Sequence, residues 1–337
     1  MPTQPLSPAD SRNYLGFARQ TTLGTGVVPS FFAAYIGAIA FAMNPQLRDV
    51  REAGGGSTIA RQVKDFVGPA HQFAAPVRSD LAGAILAFFL GTDVLAGIGP
   101  YTHTMTPADA RILVSTERNL ADDVIERQID AVIGQVTIAY QKRDSGPELM
   151  VTAIAEGRTQ EDQAAPAVET YEADRPLLRS DSLWTVDTTL NPTNVESAII
   201  DLQWALDTTI LADSVIRTDL VKLHLTGSVE LVQLFATSDE ADAYRKTHYW
   251  DGSAAGTVPG ELVYPGDLQV VASFGTGAAQ RTVDVSLPNL NWGEAELTPN
   301  DPDASEAVRL TRRAAVIGPA PAVTVIITNS RATDYLA

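Results

Sequence analysis

The chain has 337 residues, with 24 Lys and Arg against 41 Asp and Glu, a formal net charge of −17 and no cysteine. The lack of cysteine excludes a disulfide framework, a thiolate metal site and a cysteine nucleophile. The acidic excess argues against tight binding of nucleic acid or anionic lipid, because both need clustered Lys and Arg. With 45% apolar residues, a chain of this length is expected to fold into about two domains.

The charge is unevenly distributed. Residues 1–165 carry 13 basic and 17 acidic groups, whereas residues 166–337 carry 11 basic and 24 acidic groups. The second half therefore holds most of the acidity. Such asymmetry indicates either a well-solvated surface or a face adapted to a nearby polyanion.

The N-terminal region contains a long apolar stretch. No charged residue occurs between Arg19 and Arg48, and residues 27–43 are almost wholly apolar. A membrane-spanning helix needs about 20 apolar residues, and this stretch is short and contains Pro29. A signal peptide fits poorly behind the polar leader. We therefore predict no membrane anchor, with a membrane-anchored β protein kept as an alternative, and expect long loops or extended hairpins in the Gly- and Pro-rich first hundred residues.

A second apolar run predicts a buried helix over about 79–90. Ser79 is the expected N-cap and Gly91 the C-terminal stop. A helix that is apolar all round must be covered on every side.

Strand patterns follow. The alternation from Val136 to Tyr140 and the run at 149–155 predict a strand pair that ends at Gly157. The polar, acidic segment 161–176 has no periodicity and predicts a linker between two domains.

The second half begins with another alternating strand. Ile200, Leu202, Trp204 and Leu206 share one face, which places Asp201, Gln203 and Asp207 on the polar side. A further strand ends at Gly227, and the Val151-to-Gly157 and Val221-to-Gly227 spacings are equal. This suggests a weak internal duplication.

The C-terminal region predicts one short helix and several strands. Thr237 to Glu240 has the form of a capping box and opens a helix over about 238–247. Strands are expected at 262–274, 281–287, 310–316 and 323–328. The sequence as a whole predicts a mainly β protein with two short helices.

No motif assembles into an active site. There is no nucleophile elbow and no phosphate-binding loop, and the four histidines lack metal-ligand spacing. We therefore expect no enzyme activity, no catalytic residue, no cofactor and no metal. The aromatic segment at His248 to Trp250 favours a hydrophobic patch at the helix end, with a sugar-stacking platform as the alternative.

The order of several short motifs resembles a known family. These are residues 16–29 (GFARQTTLGTGVVP), the helix ending at Leu90-Gly91, residues 101–107 (YTHTMTP), the strand pair ending at Gly157, residues 194–198 (NVESA), Leu287-Pro288, and residues 323–330 (VTVIITNS) followed by Tyr335. In this order the chain resembles the tail tube (major tail) proteins of long-tailed, siphovirus-like bacteriophages over nearly its whole length. The long acidic linker and the Trp- and His-rich segment at 244–250 depart from the family pattern.

The resemblance implies a structural virion protein. The expected fold is a tandem of tail-tube-type β-sandwich or barrel domains, each with a short flanking helix, plus long loop or hairpin arms. The first domain would span 1–160, with an apolar arm at about 24–60, and the second would span 177–337. The protein would be made in the bacterial host cytoplasm and end in the phage tail.

The resemblance also implies partners. Copies of the chain would form rings stacked into a hollow tube, the conduit for DNA ejection. A trimer with pseudo-sixfold symmetry is favoured because of the duplication, and a hexamer is the alternative. The tape measure protein and the tail terminator and tip proteins would be neighbours, and double-stranded DNA would pass without specific binding.

Two sets of residues are candidates for these roles. An acidic lumen would let DNA slide without Lys or Arg contacts that hold each phosphate. The candidate lumen residues are Glu126, Asp130, Asp201, Gln203 and Asp207, whose alternative is the outer solvated surface. The candidate inter-ring arm residues are Val27, Val28, Phe31, Phe32, Tyr35 and Ile36. An extracellular carbohydrate-binding β-sandwich is the rival function.

Overall fold

The computed structural model describes residues 14–34, 40–50, 61–120, 124–140, 149–190, 195–209, 219–253, 255–256, 258–298, 308–318 and 322–337. Within these residues the fold is mainly β, with two α-helices. The helices are α1 (Ser79–Leu90) and α2 (Ser238–Tyr249). The strands are β1 (Tyr14–Gln20), β2 (Phe31–Ala34), β3 (Ala40–Val50), β4 (Arg61–Pro76), β5 (Val94–Ala96), β6 (Tyr101–Met105), β7 (Leu113–Leu120), β8 (Val124–Tyr140), β9 (Met150–Glu156), β10 (Thr159–Asp162), β11 (Ser182–Val186), β12 (Thr189–Leu190), β13 (Val195–Thr209), β14 (Asp219–Leu234), β15 (Tyr264–Phe274), β16 (Arg281–Thr298), β17 (Arg309–Val316) and β18 (Thr324–Asn329).

The strands pair in antiparallel fashion in three sheet regions. Sheet I has the order β2–β1–β7–β8–β10 and uses the first part of β8. Sheet II has the order β3–β4–β9–β8–β13–β14–β17–β16 and uses the second part of β8. Sheet III has the order β12–β11–β15–β16–β18–β6–β5. The two longest strands, β8 and β16, each pass from one region to the next and join the three into a continuous structure.

Helix α1 lies in the middle of the core. Every residue from Leu81 to Leu90 is buried, and the same hydrophobic cluster contains Phe17 from sheet I, Trp204 from sheet II and Ile327 from sheet III. The helix carries no polar stripe because it has no solvent-facing side. Strands of the same chain surround the helix, as its apolar sequence requires.

The two halves of the chain share strands. Residues 135–140 of β8 pair with residues 198–203 of β13, and β6 pairs with the C-terminal strand β18. The hairpins β8–β9 and β13–β14, which the equal spacing suggests are duplicated, differ in register. In β8–β9, Val136 lies opposite Ala153, four residues before Gly157. In β13–β14, the corresponding Leu202 lies opposite Gly227 itself. The equal spacing in the sequence does not mark equivalent positions, and the division into tandem domains stays a prediction.

The predicted helices are confirmed, with one error at a cap. Helix α1 has its expected bounds, and Gly91 ends it in the left-handed region at φ 93°, with its N–H donating to the Ala87 carbonyl. Ser79 was expected as the N-cap but is the first helical residue, and the cap comes from elsewhere in the chain. The capping box of α2 forms between Thr237 and Glu240 as predicted.

The first hundred residues contain more strand than their Gly and Pro content suggests. The long β3–β4 hairpin includes Pro45 and Pro69, and β4 pairs with β9 only over residues 70–76. The rest of this hairpin has no further strand partner within the described residues. Prolines are tolerated on such a two-stranded ribbon because one edge of each strand needs no hydrogen-bond partner.

Candidate assembly and lumen surfaces

The predicted linker is an ordered strap across the subunit. Here the strap means residues 163–177. Ala167 N–H donates to Tyr14 Oη at 2.7 Å on sheet I, Leu177 N–H donates to the Val77 carbonyl at 2.8 Å, and Asp174 forms an ion pair with Arg281 at the start of β16. The acidic segment therefore contacts sheet I, the residues just before α1 and the start of β16.

The strap supplies the missing cap of α1. Glu172 accepts hydrogen bonds from the main-chain N–H groups of Asp80 and Leu81, each at 3.1 Å, and from Ser79 Oγ at 3.2 Å. Burial raises the pKa of the Glu172 carboxyl, and the two main-chain hydrogen bonds oppose that rise. A carboxylate at this position satisfies unpaired N–H groups and complements the helix dipole. Because 91 residues separate Glu172 from Leu81, local sequence rules could not reveal the pair.

The other end of α1 is held by the β13–β14 hairpin. Lys222 Nζ donates to the carbonyls of Phe89 at 2.6 Å and Phe88 at 3.3 Å, and Trp204 Nε1 donates to the same Phe89 carbonyl at 2.9 Å. Burial lowers the pKa of Lys222 to about 8. These donors satisfy C-terminal carbonyls of the helix, which has no basic residue in its own last turn.

The polar side of sheet II forms a charged surface, which we call the acidic face. Asp201 lies on this side of β13, and its Oδ1 accepts hydrogen bonds from Gln135 Nε2 at 2.8 Å and Thr137 Oγ1 at 2.7 Å on β8. Gln203 and Asp207 are exposed further along the same strand. The sequence alternation thus places these three candidates correctly on the polar side of β13.

The acidic face also contains charged residues outside the set predicted from the sequence. Arg313 on β17 contacts Glu230 on β14 at 2.8 Å and Glu294 on β16 at 3.4 Å. Glu156 on β9 and Glu296 on β16 add two more carboxylates. These positions share a face only through the register of neighbouring strands, which no local pattern in the sequence specifies.

The other two lumen candidates lie in sheet I. Glu126 forms an ion pair with Arg118 on β7. Asp130 is 3% exposed, has a positive φ of 53°, and its carboxylate accepts the Gly24 N–H at 2.8 Å and a hydrogen bond from Gln20. Asp130 therefore holds the turn after β1 in place at the point where β8 leaves sheet I, and it is not part of the acidic face.

The arm candidates divide into two groups. Phe31 and Phe32 are buried in strand β2, where Phe31 packs against Phe17 and Phe32 against Tyr14. Val28 is exposed and Val27 is half-buried on the segment before β2. Tyr35 and Ile36 lie outside the described residues. The extended feature in this region is the β3–β4 hairpin rather than β2.

The motif at residues 101–107 has a structural role. His103 is buried on β6, with Nδ1 2.9 Å from an Asp93 carboxylate oxygen and Nε2 3.1 Å from the Arg331 carbonyl oxygen. Its ring packs on Tyr335, whose Oη lies against Gly83 of α1, where an added Cβ would be 2.3 Å away. The motif fixes the C-terminal segment of the chain onto α1.

The aromatic segment at the end of α2 packs against sheet III and β16. The Trp250 ring contacts Tyr264 edge to face at 5.0 Å, and His248 Nε2 donates to the Ala295 carbonyl at 2.8 Å. This arrangement agrees with a hydrophobic patch that closes the helix end.

Two other kinds of feature are absent from the described residues. The described residues contain no group of three or more His, Asp or Glu side chains placed to hold a metal ion. Within the same part of the chain, no helix combines the length and the apolar character that crossing a membrane requires.

Comparison with known proteins identifies one family. A protein-family model described as phage tail tube protein matches residues 10–310. A search of curated proteins found no match.

Proposed function

The chain belongs to the phage tail tube protein family, and on that premise we propose that it assembles into stacked rings whose bore conducts DNA into the host. It is a structural protein of the virion tail, and self-assembly into a tube is the property of the family. The arrangement into rings and the passage of DNA are the proposed steps.

The acidic face is the observation that supports a bore through which DNA passes. It combines Glu156, Asp201, Glu230, Glu294 and Glu296 on one side of sheet II, and the guanidinium group of Arg313 is already paired with two of them. A surface with excess carboxylates repels phosphates and offers few cations to hold them. We therefore place Asp201, Gln203 and Asp207 toward the bore.

The number of chains in a ring is a separate part of the proposal. The β8–β9 and β13–β14 hairpins sit side by side in sheet II, joined by the β8–β13 pair. Each chain thus contributes two neighbouring hairpins to one face. The antiparallel β8–β13 pair relates these hairpins by a local twofold, not by a rotation about a ring axis, so they do not discriminate between ring sizes. We propose the trimeric ring with pseudo-sixfold symmetry and keep the hexamer as its alternative.

Stacking needs contacts that repeat along the axis without closing. We assign this role to the β3–β4 hairpin, whose outer part has no strand partner within the described residues, together with exposed Val28. In the virion the tube would also meet the tape measure protein inside and the terminator and tip proteins at its ends.

Electron microscopy tests the proposal. Purified protein is expected to form hollow filaments of uniform width after warming or nucleation, seen by negative stain. End-on class averages should show threefold modulation of a sixfold outline. Absence of filaments under all nucleating conditions would refute the assembly proposal, and true sixfold density would replace the trimer by the hexamer.

A further inference from the structure

The central part of the solvent side of sheet III is nearly free of charge, and Asp267 lies beside it at the bulge of β15. The strands β11, β15, β16, β18, β6 and β5 are in register, so their outward side chains form three rows across the sheet. The rows are Leu183–Val271–Asp284–Ile326–Thr104–Val94, Ser273–Thr282–Thr328–Thr102–Ala96, and Thr185–Gln269–Ser286–Thr324. We call these fifteen residues the neutral face.

The neutral face contrasts with the rest of the molecule. Asp284 is its single charged residue, whereas 19% of the whole chain is charged. The acidic face of sheet II carries several charges over a similar number of strands. Apolar side chains in the middle row are also open to solvent: Val94 is 64% exposed and Leu183 is 51% exposed.

The one acid is already shielded. Asp284 is half-buried and accepts two hydrogen bonds from Gln269 Nε2, at 3.0 and 3.1 Å. Burial raises the pKa of its carboxyl. Its neighbours on the adjacent strands are Val271 and Ile326. The row from Leu183 to Val94 is therefore mainly apolar, and its one carboxylate is hydrogen-bonded and half-buried.

We propose that the neutral face is a subunit contact, covered in the assembled tube by a second copy of this chain. The inference rests on the proposed tube. Each copy carries a net charge of −17, so two copies repel where their acidic surfaces approach each other. The cores of protein interfaces are depleted of charge. The neutral face is where copies approach with the least repulsion.

The size of the face suits this role. Six strands at about 4.8 Å spacing and about five residues of paired length give a projected area of about 400 Å². A standard interface buries about 800 Å² of accessible surface on each partner. The face is therefore large enough to form the dry centre of a contact, with the surrounding loops as its rim.

Single cysteines test the contact, because the chain has none of its own. Thr104→Cys places a thiol in the neutral face. Thr152→Cys is the matched control: it substitutes the same residue type, also half-buried on a strand, on the acidic face. In dispersed subunits both thiols should react with a small maleimide. In tubes the thiol from Thr104→Cys should react about tenfold more slowly, since interface cores exclude water, and the thiol from Thr152→Cys should stay reactive through the open bore.

A second pair of variants tests the energetics. Thr104→Lys should leave subunits folded by circular dichroism but unable to form filaments, whereas Thr152→Lys should assemble. Unchanged reactivity of Thr104→Cys in tubes, or normal filaments from Thr104→Lys, would overturn the proposed contact. Failure of wild-type protein and both Thr152 variants to assemble would instead refute the proposed tube.

Discussion

At the scale of single residues, the fold depends on side chains that act far from their place in the sequence. Glu172 caps a helix that begins 93 residues earlier, and Lys222 holds the other end of the same helix. Glu172 pairs with main-chain N–H groups of the first helical turn and Lys222 with main-chain carbonyls of the last turn, which have no partners within the helix itself. These contacts hold α1 in the centre of the core and bind the two halves of the chain together.

Removing the Glu172 cap should destabilise the subunit. We expect Glu172→Ala to lower the free energy of unfolding by about 1–2 kcal/mol, the usual cost of losing an N-cap. Urea unfolding followed by tryptophan fluorescence measures it. Glu161→Ala, an exposed acid on β10, is the control and should change stability by less than about 0.5 kcal/mol. Equal losses in the two variants would contradict the capping role.

His71 should make the subunit sensitive to acid. It is buried beside Thr116, whose Oγ1 lies 2.7 Å from Nδ1, and burial lowers its pKa to about 4. Between pH 6.5 and 4 the unfolded chain therefore binds more protons at this residue than the folded protein does. Stability must fall as the pH falls through this window.

Protonation of His71 should lower the free energy of unfolding by roughly 2 kcal/mol between pH 7 and pH 5. His71→Gln should remove that part of the dependence, although the variant is less stable at pH 7. Urea unfolding of both proteins at the two pH values gives the difference. An identical change with pH in the variant would show that His71 does not contribute.

At the scale of elements, local sequence patterns predicted the exposed sides of strands and the ends of helices. Alternation located Asp201 and Gln203 on a polar face, and Gly91 and the Thr237–Glu240 box gave helix ends. Local sequence patterns do not predict that β8 passes from sheet I to sheet II near Asp130. This change depends on the pairing of β8 with β7, β9, β10 and β13. The expectation of loops or extended hairpins in the Gly- and Pro-rich first hundred residues agrees with the β3–β4 hairpin, which accommodates Pro45 and Pro69 because a two-stranded ribbon leaves one edge of each strand without a hydrogen-bond partner.

The β3–β4 hairpin permits a sharper test of the arm than deleting residues 24–60. That deletion would remove β2 with Phe31 and Phe32 and open the core. Leu47 and Lys64 lie opposite each other, so residues 48–63 can be replaced by an Asn-Gly turn that leaves β4 paired with β9.

The shortened protein should unfold at the same urea concentration as the wild type and remain as subunits or single rings. Sedimentation and negative-stain microscopy measure this. Filaments of normal length from the shortened protein would remove the hairpin from the stacking contact.

At the scale of the whole molecule, the acidic face and the neutral face differ in charge, and we propose different roles for them. The net charge of −17 is not spread evenly: sheet II carries an acidic face and sheet III a neutral one. A tube needs both kinds of surface, one that its copies can share and one that a polyanion can pass. Mean hydropathy near zero hides this division.

The acidic face makes a prediction about DNA movement. Gln203 is exposed beside Asp201 on β13, so Gln203→Lys should leave folding and assembly intact while adding a cation to every subunit along the bore. Each such cation offers a phosphate contact that releases counterions. Phage carrying Gln203→Lys should eject dye-labelled DNA several-fold more slowly than wild type, and the delay should shrink as salt rises, because salt screens such contacts. Gln203→Glu, with the opposite charge at the same position, should eject at the wild-type rate. Equal rates for all three phages at low salt would place this face outside the bore and return Asp201, Gln203 and Asp207 to the outer surface.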